Sequence, residues 1–312
     1  MPYVAVAPST RQARLSGAAA RWDALLAGRP DLAPAILLQR GLIGLIVDLA
    51  DTFEHARLPR LSLPPRYLAA KLESGIPALA GEPLPLPVAA LKPTLLALCD
   101  ELSRGGAGEP ADHIRSVLES AEMDAGSLLA SSLARDQKAI RTGAAHRGLA
   151  ADLLWLVAEL AVCPFAHALQ QSVFGGGCGA ELAARLAAWR HGYCPACGSW
   201  PALGEAVAAR RVLRCSFCAL AWELPATACI YCGEAGERFT SAAPDPARSD
   251  HRIELCAACG AYLKTVDVPA LTPFPLLAIA DLETMELDMA AMERGYSRPQ
   301  LKEFARPSGS HR

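Results

Sequence analysis

The sequence predicts an α+β fold, in which an all-α N-terminal domain is followed by two small four-cysteine modules of the zinc-ribbon type and a C-terminal helix. Three observations lead to this prediction. Up to about Trp189 the chain is rich in Ala and Leu at helical spacing, and alternating strand patterns are nearly absent. Eight of the eleven cysteines then fall between Cys194 and Cys259. Short β-type runs appear in that same stretch, and long helical periodicity stops there.

The N-terminal domain, residues 1–190, is predicted to contain roughly seven or eight helices. Apolar residues recur three and four positions apart in stretches such as APAILLQRGLIGLIVDLADTFEHA and LAADLLWLVAELAV. Glycine and proline clusters such as GRPDLAP, GEPLPLP and FGGGCG separate these stretches. Asp31 and Asp124 stand where a helix cap or a first-turn acid is expected.

The remaining chain is predicted to divide into a first four-cysteine module (residues 191–228), a second four-cysteine module (residues 229–268) and a C-terminal segment (residues 269–312). Strands are predicted over RRVLRC, LAWEL, RFTSA, HRIEL and AYLKTVDV. The last segment begins apolar and proline-rich and continues as a helix over ETMELDMAAMERGY. We expect this helix to pack back onto one of the domains and the final polar residues to be mobile.

Composition and charge indicate a soluble, globular chain and argue against nucleic acid as a partner. Hydrophobic residues make up 52% of the chain, charged residues make up 20%, and the formal net charge is −2. The cysteine-rich stretch from Arg190 to Ala270 holds eight basic and eight acidic residues, so it lacks the positive charge that phosphate binding needs.

The chain is expected to be cytoplasmic and not inserted in a membrane. Its N-terminal residues show no apolar core of the kind a secretory signal has, since Arg11 and Arg14 interrupt it. The most membrane-like stretch, LLWLVAELAVCPFAHAL, carries Glu159, Pro164 and His167, which suits a buried helix better than a span. The sequence does not decide between a monomer and a homo-oligomer.

Four pairs of cysteines share the spacing CxxC and predict metal binding. A CxxC turn brings two thiolates to one ion, and two such turns supply a tetrahedral four-thiolate shell. Glycine follows three of the pairs and Ala219 follows the other, as expected for tight turns. The predicted ligands are Cys194, Cys197, Cys215, Cys218, Cys229, Cys232, Cys256 and Cys259.

The distances between the pairs suggest how they combine. Seventeen residues separate Cys197 from Cys215 and twenty-three separate Cys232 from Cys256, enough for a hairpin that returns to the same ion. Only ten separate Cys218 from Cys229. We therefore pair the first CxxC with the second and the third with the fourth, and crossed pairing stays an alternative.

Other interpretations of the cysteines are less favoured. A thioredoxin-like dithiol needs a βαβ context, which surrounds none of the pairs, and disulfides need an oxidising compartment. The spacing does not separate zinc from iron. Arg210, Arg211 and Arg214 either offset the thiolate charge or form a solvated strand face.

The other three cysteines and the rest of the chain carry no pattern of an active site. Cys99 and Cys163 lie on apolar helical faces and are predicted core residues, whereas Cys178 sits near a helix start, where reactivity stays open. No HExxH, phosphate-loop or dinucleotide motif occurs in the sequence. These motifs therefore give no candidate for a catalytic residue.

The order of these motifs resembles the formate dehydrogenase accessory protein FdhE family. The shared stretches are CPACGSWP, LRCSFCALAW with Trp222, CIYCG, CAACGAYLKTV and a tail reading LDMAAMERGYSRP. The YLK of residues 262–264 and the trio Gly295, Tyr296 and Arg298 are specific when they occur together with the four knuckles. The resemblance covers essentially the whole chain.

The resemblance implies a helical N-terminal part followed by two rubredoxin-like four-cysteine modules. It also implies a non-catalytic accessory role in the maturation or quality control of formate dehydrogenase. Members of the family act in the cytoplasm on the catalytic subunit of respiratory formate dehydrogenases before twin-arginine export. They are associated with iron in rubredoxin-type sites, so the resemblance favours two iron ions held by the eight paired cysteines, with zinc as the alternative. A rubredoxin-like electron-transfer protein and, less favoured, a zinc-ribbon nucleic-acid binder are the other candidate functions.

Overall fold

The computed structural model describes residues 3–7, 9–55, 63–175, 178–225, 227–243 and 250–301. The helices are α1 (Arg11–Gly28), α2 (Ala33–His55), α3 (Pro65–Glu73), α4 (Val88–Leu102), α5 (Gly108–Glu119), α6 (Ala125–Leu133), α7 (Gln137–Ala145), α8 (Ala151–Phe174), α9 (Ala180–Ala188), α10 (Leu277–Glu283) and α11 (Met285–Glu293). The strands are β1 (Tyr3–Val4), β2 (Pro201–Val207), β3 (Arg210–Cys215), β4 (Ala221–Glu223), β5 (Phe239–Ala242), β6 (His251–Cys256) and β7 (Ala261–Asp267).

The α+β fold class is confirmed, and the elements differ from the prediction in three places. The described residues before 190 form nine α-helices rather than seven or eight. The five predicted strands correspond to β3 to β7, whereas β1 and β2 were not predicted. The predicted C-terminal helix corresponds to α11, α10 before it was not predicted, and the predicted mobile tail lies outside the described residues.

The chain forms two compact units, which do not follow the order of the sequence. The helical unit comprises Ser9–Leu61 and Glu82–Leu169. The sheet unit comprises Met1–Pro8, Ser62–Gly81 and Gln170–Arg312. The division at residues 190, 228 and 268 was drawn from composition alone and stays a prediction.

The helical unit is built around apolar side chains at helical spacing. Fully buried residues include Ile36 on α2, Leu91 and Leu95 on α4 and Ile114 on α5. Asp124 caps α6, since its side chain accepts a hydrogen bond from the backbone N–H of Ser127 (2.7 Å), whereas Asp31 is a first-turn acid of a 3₁₀ helix. The apolar periodicity read from the sequence therefore identified the core of this unit.

Two helices are long and apolar enough to cross a membrane, judged by length and composition alone. One is α8, whose most apolar window is 67% buried inside the protein, and the other spans Pro30–His55, with 33% of its window buried. A core helix of a soluble protein passes the same test, so the two are weak indications of a membrane span.

The sheet unit contains one seven-stranded sheet in the order β1-β4-β3-β2-β7-β6-β5. Strands β2, β3 and β4 carry the first cysteine module and β5, β6 and β7 carry the second, each as an antiparallel set. The two sets join where β2 pairs with β7 in parallel, with Gly204 opposite Thr265. Both modules therefore belong to one sheet.

The first and second modules also approach each other closely at Gly192. A Cβ at this position would lie 2.0 Å from the carbonyl oxygen of Ile230, in the third CxxC turn. Only glycine allows the two backbones to come so close.

The two C-terminal helices pack against the sheet, α10 at the junction of β2 with β7 and α11 on the second module. Leu277 and Ala280 of α10 pack against Leu203 of β2 and Val266 of β7. Leu287 and Ala291 of α11 pack against Ile253 and Tyr262 of the second module. The expectation that the C-terminal helix packs back onto a domain is met by α11.

An ion network around the buried Lys264 holds this C-terminal segment. The Lys264 side chain is fully buried, and its Nζ lies 2.6 Å from Asp288 Oδ2 and 2.8 Å from Asp281 Oδ1. Arg298 Nη2 donates to Asp281 Oδ1 (2.7 Å) and Asp288 Oδ1 (2.9 Å), and the Tyr262 hydroxyl donates to Asp288 (2.7 Å). The YLK and GYSRP motifs that carry the family resemblance thus meet in one network.

Replacement of Gly192 by alanine is expected to destabilise the sheet unit by about 3 kcal/mol, because the new methyl group would overlap the Ile230 backbone. Denaturant unfolding followed by tryptophan fluorescence measures the change. Gly143→Ala in α7 is the control, since its Cβ would meet nothing within 4 Å, and alanine should raise helix stability by up to about 1 kcal/mol. Equal stabilities of the two variants would contradict the close approach at Gly192.

Lys264→Met is expected to lower the free energy of unfolding by about 3 kcal/mol, because it leaves the partly buried Asp288 without its ammonium partner. Hydrogen exchange should increase over residues 277–301, which the network holds. Arg252→Gln removes an exposed ion pair with Asp267 and should cost less than about 1 kcal/mol. If both changes had the same small effect, the network would not be what fixes the C-terminal segment.

Candidate metal centres

Site 1 is the group formed by Cys194, Cys197, Cys215 and Cys218, and all four are buried. The Sγ atoms of Cys194 and Cys218 lie 3.6 Å apart, and those of Cys197 and Cys215 lie 3.4 Å apart. All four sulfurs lie within 4.8 Å of one another. The first CxxC therefore combines with the second.

Site 2 is the group formed by Cys229, Cys232, Cys256 and Cys259. The Sγ atoms of Cys229 and Cys259 lie 3.7 Å apart, and those of Cys232 and Cys256 lie 3.6 Å apart. Cys229 and Cys256 are buried, whereas Cys232 and Cys259 are exposed. The third CxxC combines with the fourth, so the crossed pairing is excluded.

The sulfur positions fit a tetrahedral ion. With metal–sulfur bonds of about 2.3 Å, the sulfurs of a tetrahedral shell lie about 3.8 Å apart. The four sulfur–sulfur distances of 3.4–3.7 Å are close to that value without a disulfide length among them. Each group could hold one metal ion, and an all-sulfur shell suits zinc or iron. The eight cysteines are brought together as predicted, and their role as ligands stays a prediction.

Every CxxC turn is followed by a residue in the left-handed backbone region. Gly198, Gly233 and Gly260 have φ values of 82°, 82° and 68°, and Ala219 has a φ of 54°. This conformation costs an L-residue with a Cβ about 1–2 kcal/mol, whereas glycine adopts it freely. The small residues noted in the sequence are thus required by the turn.

Backbone amides point at the sulfurs of site 1. The N–H of Ala196 donates to Cys194 Sγ, and the N–H groups of Phe217 and Cys218 donate to Cys215 Sγ, each at 3.4 Å. Burial raises the pKa of the Cys194 and Cys218 thiols well above the ordinary value. These thiols are therefore protonated in the absence of an ion, and an ion that binds them releases protons.

A segment far away in sequence covers the first turn of site 1. We call residues 71–80 the cover segment. Its Ala78 and Leu79 N–H groups donate to the carbonyls of Pro195 and Ala196, each at 2.8 Å. Lys71 Nζ holds the segment by donating to the carbonyls of Ala78 (3.0 Å) and Ala80 (2.6 Å).

Two further contacts surround site 1. The Tyr193 hydroxyl donates to the Gly75 carbonyl (2.8 Å), which joins the first turn to the end of α3. On the other side, Tyr3 of β1 pairs with Trp222 of β4. Neither the cover segment nor β1 was anticipated, because IPALAGEP reads as punctuation between helices and a two-residue strand has no sequence pattern of its own.

At site 2, hydrogen bonds hold the fourth CxxC turn, while parts of both turns are exposed to solvent. The Ser297 N–H donates to the Gly260 carbonyl (2.9 Å), and Arg238 Nη2 donates to the Ala257 carbonyl (2.9 Å). Residues 257–259 and residues 232–233 are nevertheless exposed. The second cysteine of each CxxC turn of site 2, Cys232 or Cys259, is therefore exposed to solvent.

Aromatic rings connect the surroundings of the two sites. The ring centroids of Tyr193 and Trp200 lie 5.8 Å apart, and those of Trp200 and Tyr231 lie 5.0 Å apart. The Trp200 indole N–H donates to the Gln300 carbonyl (2.8 Å). A cleft of about 360 Å³ runs along these three rings and reaches Cys229.

Each of the three arginines between the first two CxxC turns forms an ion pair with a glutamate. Arg214 and Glu205 form a fully buried ion pair, and Arg211 forms a buried pair with Glu254. Arg210 is exposed and lies 3.3 Å from Glu223. The alternative of a solvated strand face is therefore wrong for Arg211 and Arg214, which are buried against glutamates.

The three remaining cysteines lie outside both sites. Cys99 and Cys163 are buried core residues, as predicted, and burial raises the pKa of Cys99 to about 12 and that of Cys163 still further. Cys178 is partly exposed.

Ala219→Gly is expected to stabilise the chain by up to about 1 kcal/mol, because it removes the strain of a positive φ while adding some chain entropy to the unfolded state. Gly260→Ala should lower stability by about 1 kcal/mol, since its Cβ would meet nothing within 4 Å and only the backbone conformation is penalised. Thermal unfolding of the two variants beside the parent chain measures both signs. A destabilised Ala219→Gly chain would contradict the strain at this turn.

Comparisons with known proteins agree with the resemblance seen in the sequence. No family model matches the chain. Proteins named FdhE homolog from Pectobacterium carotovorum subsp. carotovorum and Pectobacterium atrosepticum are each 30% identical over 123 residues, which cover 38% of this chain and 39% of theirs. A homolog from Haemophilus ducreyi is 27% identical over 115 residues, or 36% of this chain and 37% of the relative.

One solved crystal structure matches the fold of this chain over nearly its whole length. The FdhE protein from Pseudomonas aeruginosa matches with a TM-score of 0.58 and 23% identity, covering 96% of this chain and 98% of that one. The sequence matches span less than two-fifths of the curated relatives, whereas the fold match spans nearly all of the structure. The fold is thus that of the FdhE crystal structure, and the resemblance to the FdhE family is confirmed.

Proposed function

We propose that this protein is an accessory factor for formate dehydrogenase, required for the assembly, maturation or quality control of the active enzyme. In this proposal it binds the catalytic subunit in the cytoplasm before export and is not itself an enzyme. The observation that carries the proposal is the pair of four-cysteine groups within a chain that shares the FdhE fold over 96% of its length.

The chemistry of the sites supports a non-catalytic role. Each group offers four protein sulfurs to one ion, so the coordination shell is closed, whereas catalytic zinc sites keep a position open for water or substrate. A closed shell contributes its binding free energy to folding and keeps the turns rigid. Two rigid four-cysteine centres on one sheet suit a protein that presents a fixed surface to a partner.

The proposal also includes two bound metal ions. Iron is proposed from the family resemblance, and zinc is the alternative that the same sulfur geometry accepts. Elemental analysis and an absorption spectrum of protein purified without air distinguish the two, since thiolate-to-iron charge transfer is coloured and zinc is not. Two equivalents of metal per chain are expected, whichever ion is found.

Deletion of the gene is expected to abolish formate dehydrogenase activity, and the parent chain should restore it. A chain with Cys194 and Cys197 changed to serine should fail to restore activity, whereas Cys99→Ser, outside both sites, should restore it. A pull-down should recover the catalytic subunit with the parent chain. Normal activity and export of the enzyme in the deletion strain would disprove the accessory role.

A rubredoxin-like electron-transfer protein is the second candidate, and the row of rings favours it. Tyr193 lies next to Cys194 and Tyr231 lies between Cys229 and Cys232, with Trp200 between the two tyrosines. Reversible reduction of the iron-loaded protein, with a potential that changes in Trp200→Leu, would support this function. A colourless protein that contains only zinc would rule it out.

A further inference from the structure

We propose that the two centres have different tasks: site 1 keeps its ion as a fixed part of the fold, and site 2 is an exchange site. Site 2 would take up and release its ion in the folded protein, through the edge formed by Cys232 and Cys259. The inference rests on the proposed metal binding and adds to it a division of labour between the centres.

The burial of the sulfur ligands separates the two sites. At site 1 the exposed fractions of Cys194, Cys197, Cys215 and Cys218 are 0%, 7%, 1% and 0%. At site 2 the first cysteine of each turn is equally buried, at 5% for Cys229 and 1% for Cys256, but the second is exposed. Two of the four ligand residues of site 2 are therefore exposed, whereas none is exposed at site 1.

The cover of site 1 must open before its ion can leave. The cover segment is attached to the Cys194–Cys197 turn by two backbone hydrogen bonds, and Lys71 holds the segment in place. Release from site 1 thus requires local unfolding, whose free energy slows the exchange. At site 2 the exposed edge leads directly to solvent, and the cleft along Trp200 and Tyr231 reaches Cys229 from a second direction.

The second module has other interactions that can hold it while its ion is absent. The Ile253 and Tyr262 side chains pack against Leu287 and Ala291 of α11, and Lys264 is buried between Asp281 and Asp288. Strand β7 is also paired in parallel with β2. Loss of the ion from site 2 therefore leaves the sheet in place.

The exchange step involves no change of oxidation state. The divalent ion would pass from the four thiolates to an external chelating ligand, beginning at Cys232 and Cys259, so that a bond to the chelator replaces each metal–sulfur bond that breaks. Uptake would be the reverse of this step.

The test uses the full chain loaded with zinc and a chromogenic chelator, 4-(2-pyridylazo)resorcinol, in excess. Elemental analysis first establishes two zinc ions per chain. Release is expected in two phases of one equivalent each, with rates that differ by at least about tenfold. Iodoacetamide added in parallel should label Cys232 and Cys259 before any cysteine of site 1, as located by mass spectrometry.

Matched variants assign the phases. Cys232→Ser and Cys197→Ser change the same position of a turn at the two sites; the first should remove only the fast phase, and the second should remove the slow phase and destabilise the fold. Should Cys197→Ser fail to fold, Lys71→Met provides the second test, because it loosens the cover segment and should accelerate only the slow phase.

The outcomes separate this inference from the metal-binding role. Two zinc ions that leave in a single phase, or first labelling at site 1, would overturn the division of tasks and leave metal binding intact. A chain that binds no zinc, even with zinc in excess, would overturn both, and a chain that binds only one ion under those conditions would overturn the division of tasks alone. An unchanged slow phase in Lys71→Met would contradict the role of the cover segment.

Discussion

The parallel pairing of β2 with β7 is the constraint on which the sheet unit depends. Each cysteine module alone is a three-stranded ribbon with little apolar surface to bury. Joined at Gly204 and Thr265, the ribbons form one surface wide enough for α10 and α11 to cover. The junction also requires Gly192 at its side, where the backbone of the third turn comes within contact distance. The two candidate centres are therefore fixed within a single sheet.

The local chemistry of the site could be predicted from the sequence, whereas its surroundings could not. The conformation of a CxxC turn depends only on the residues within it and directly after it. The stretch from Cys194 to Gly198 is therefore enough to predict the turn. Strand β2 reads PALGEAV, and Ala, Gly and Glu are poor strand formers, so it escaped prediction. Its place is decided by two neighbouring strands, and the cover segment is likewise placed by hydrogen bonds to residues more than a hundred positions away.

The count of charged residues near the cysteines does not show the electrostatic environment of site 1. Three arginines close to the cysteines suggest a positive environment for the thiolates, yet Arg211 and Arg214 are each matched by a glutamate from another strand. The pairs Arg214–Glu205 and Arg211–Glu254 tie neighbouring parts of the sheet together. What stabilises negative sulfur at site 1 is instead the backbone, through the N–H groups of Ala196, Phe217 and Cys218. Because these amides belong to the turns themselves, the polarity of the site follows from the fold of the turn.

The positions of the supporting segments along the chain set an order for biosynthesis. Lys71 and Ala78, which cover site 1, precede its first cysteine, and Cys218 completes its ligands. Site 2 is complete only at Cys259, and its support from Ser297 and Arg298 comes later still. On a ribosome that emits the chain from its N-terminus, all four sulfurs and the cover of site 1 exist before the first sulfur of site 2. A nascent chain can thus gather its first tetrathiolate group while the second is still being translated.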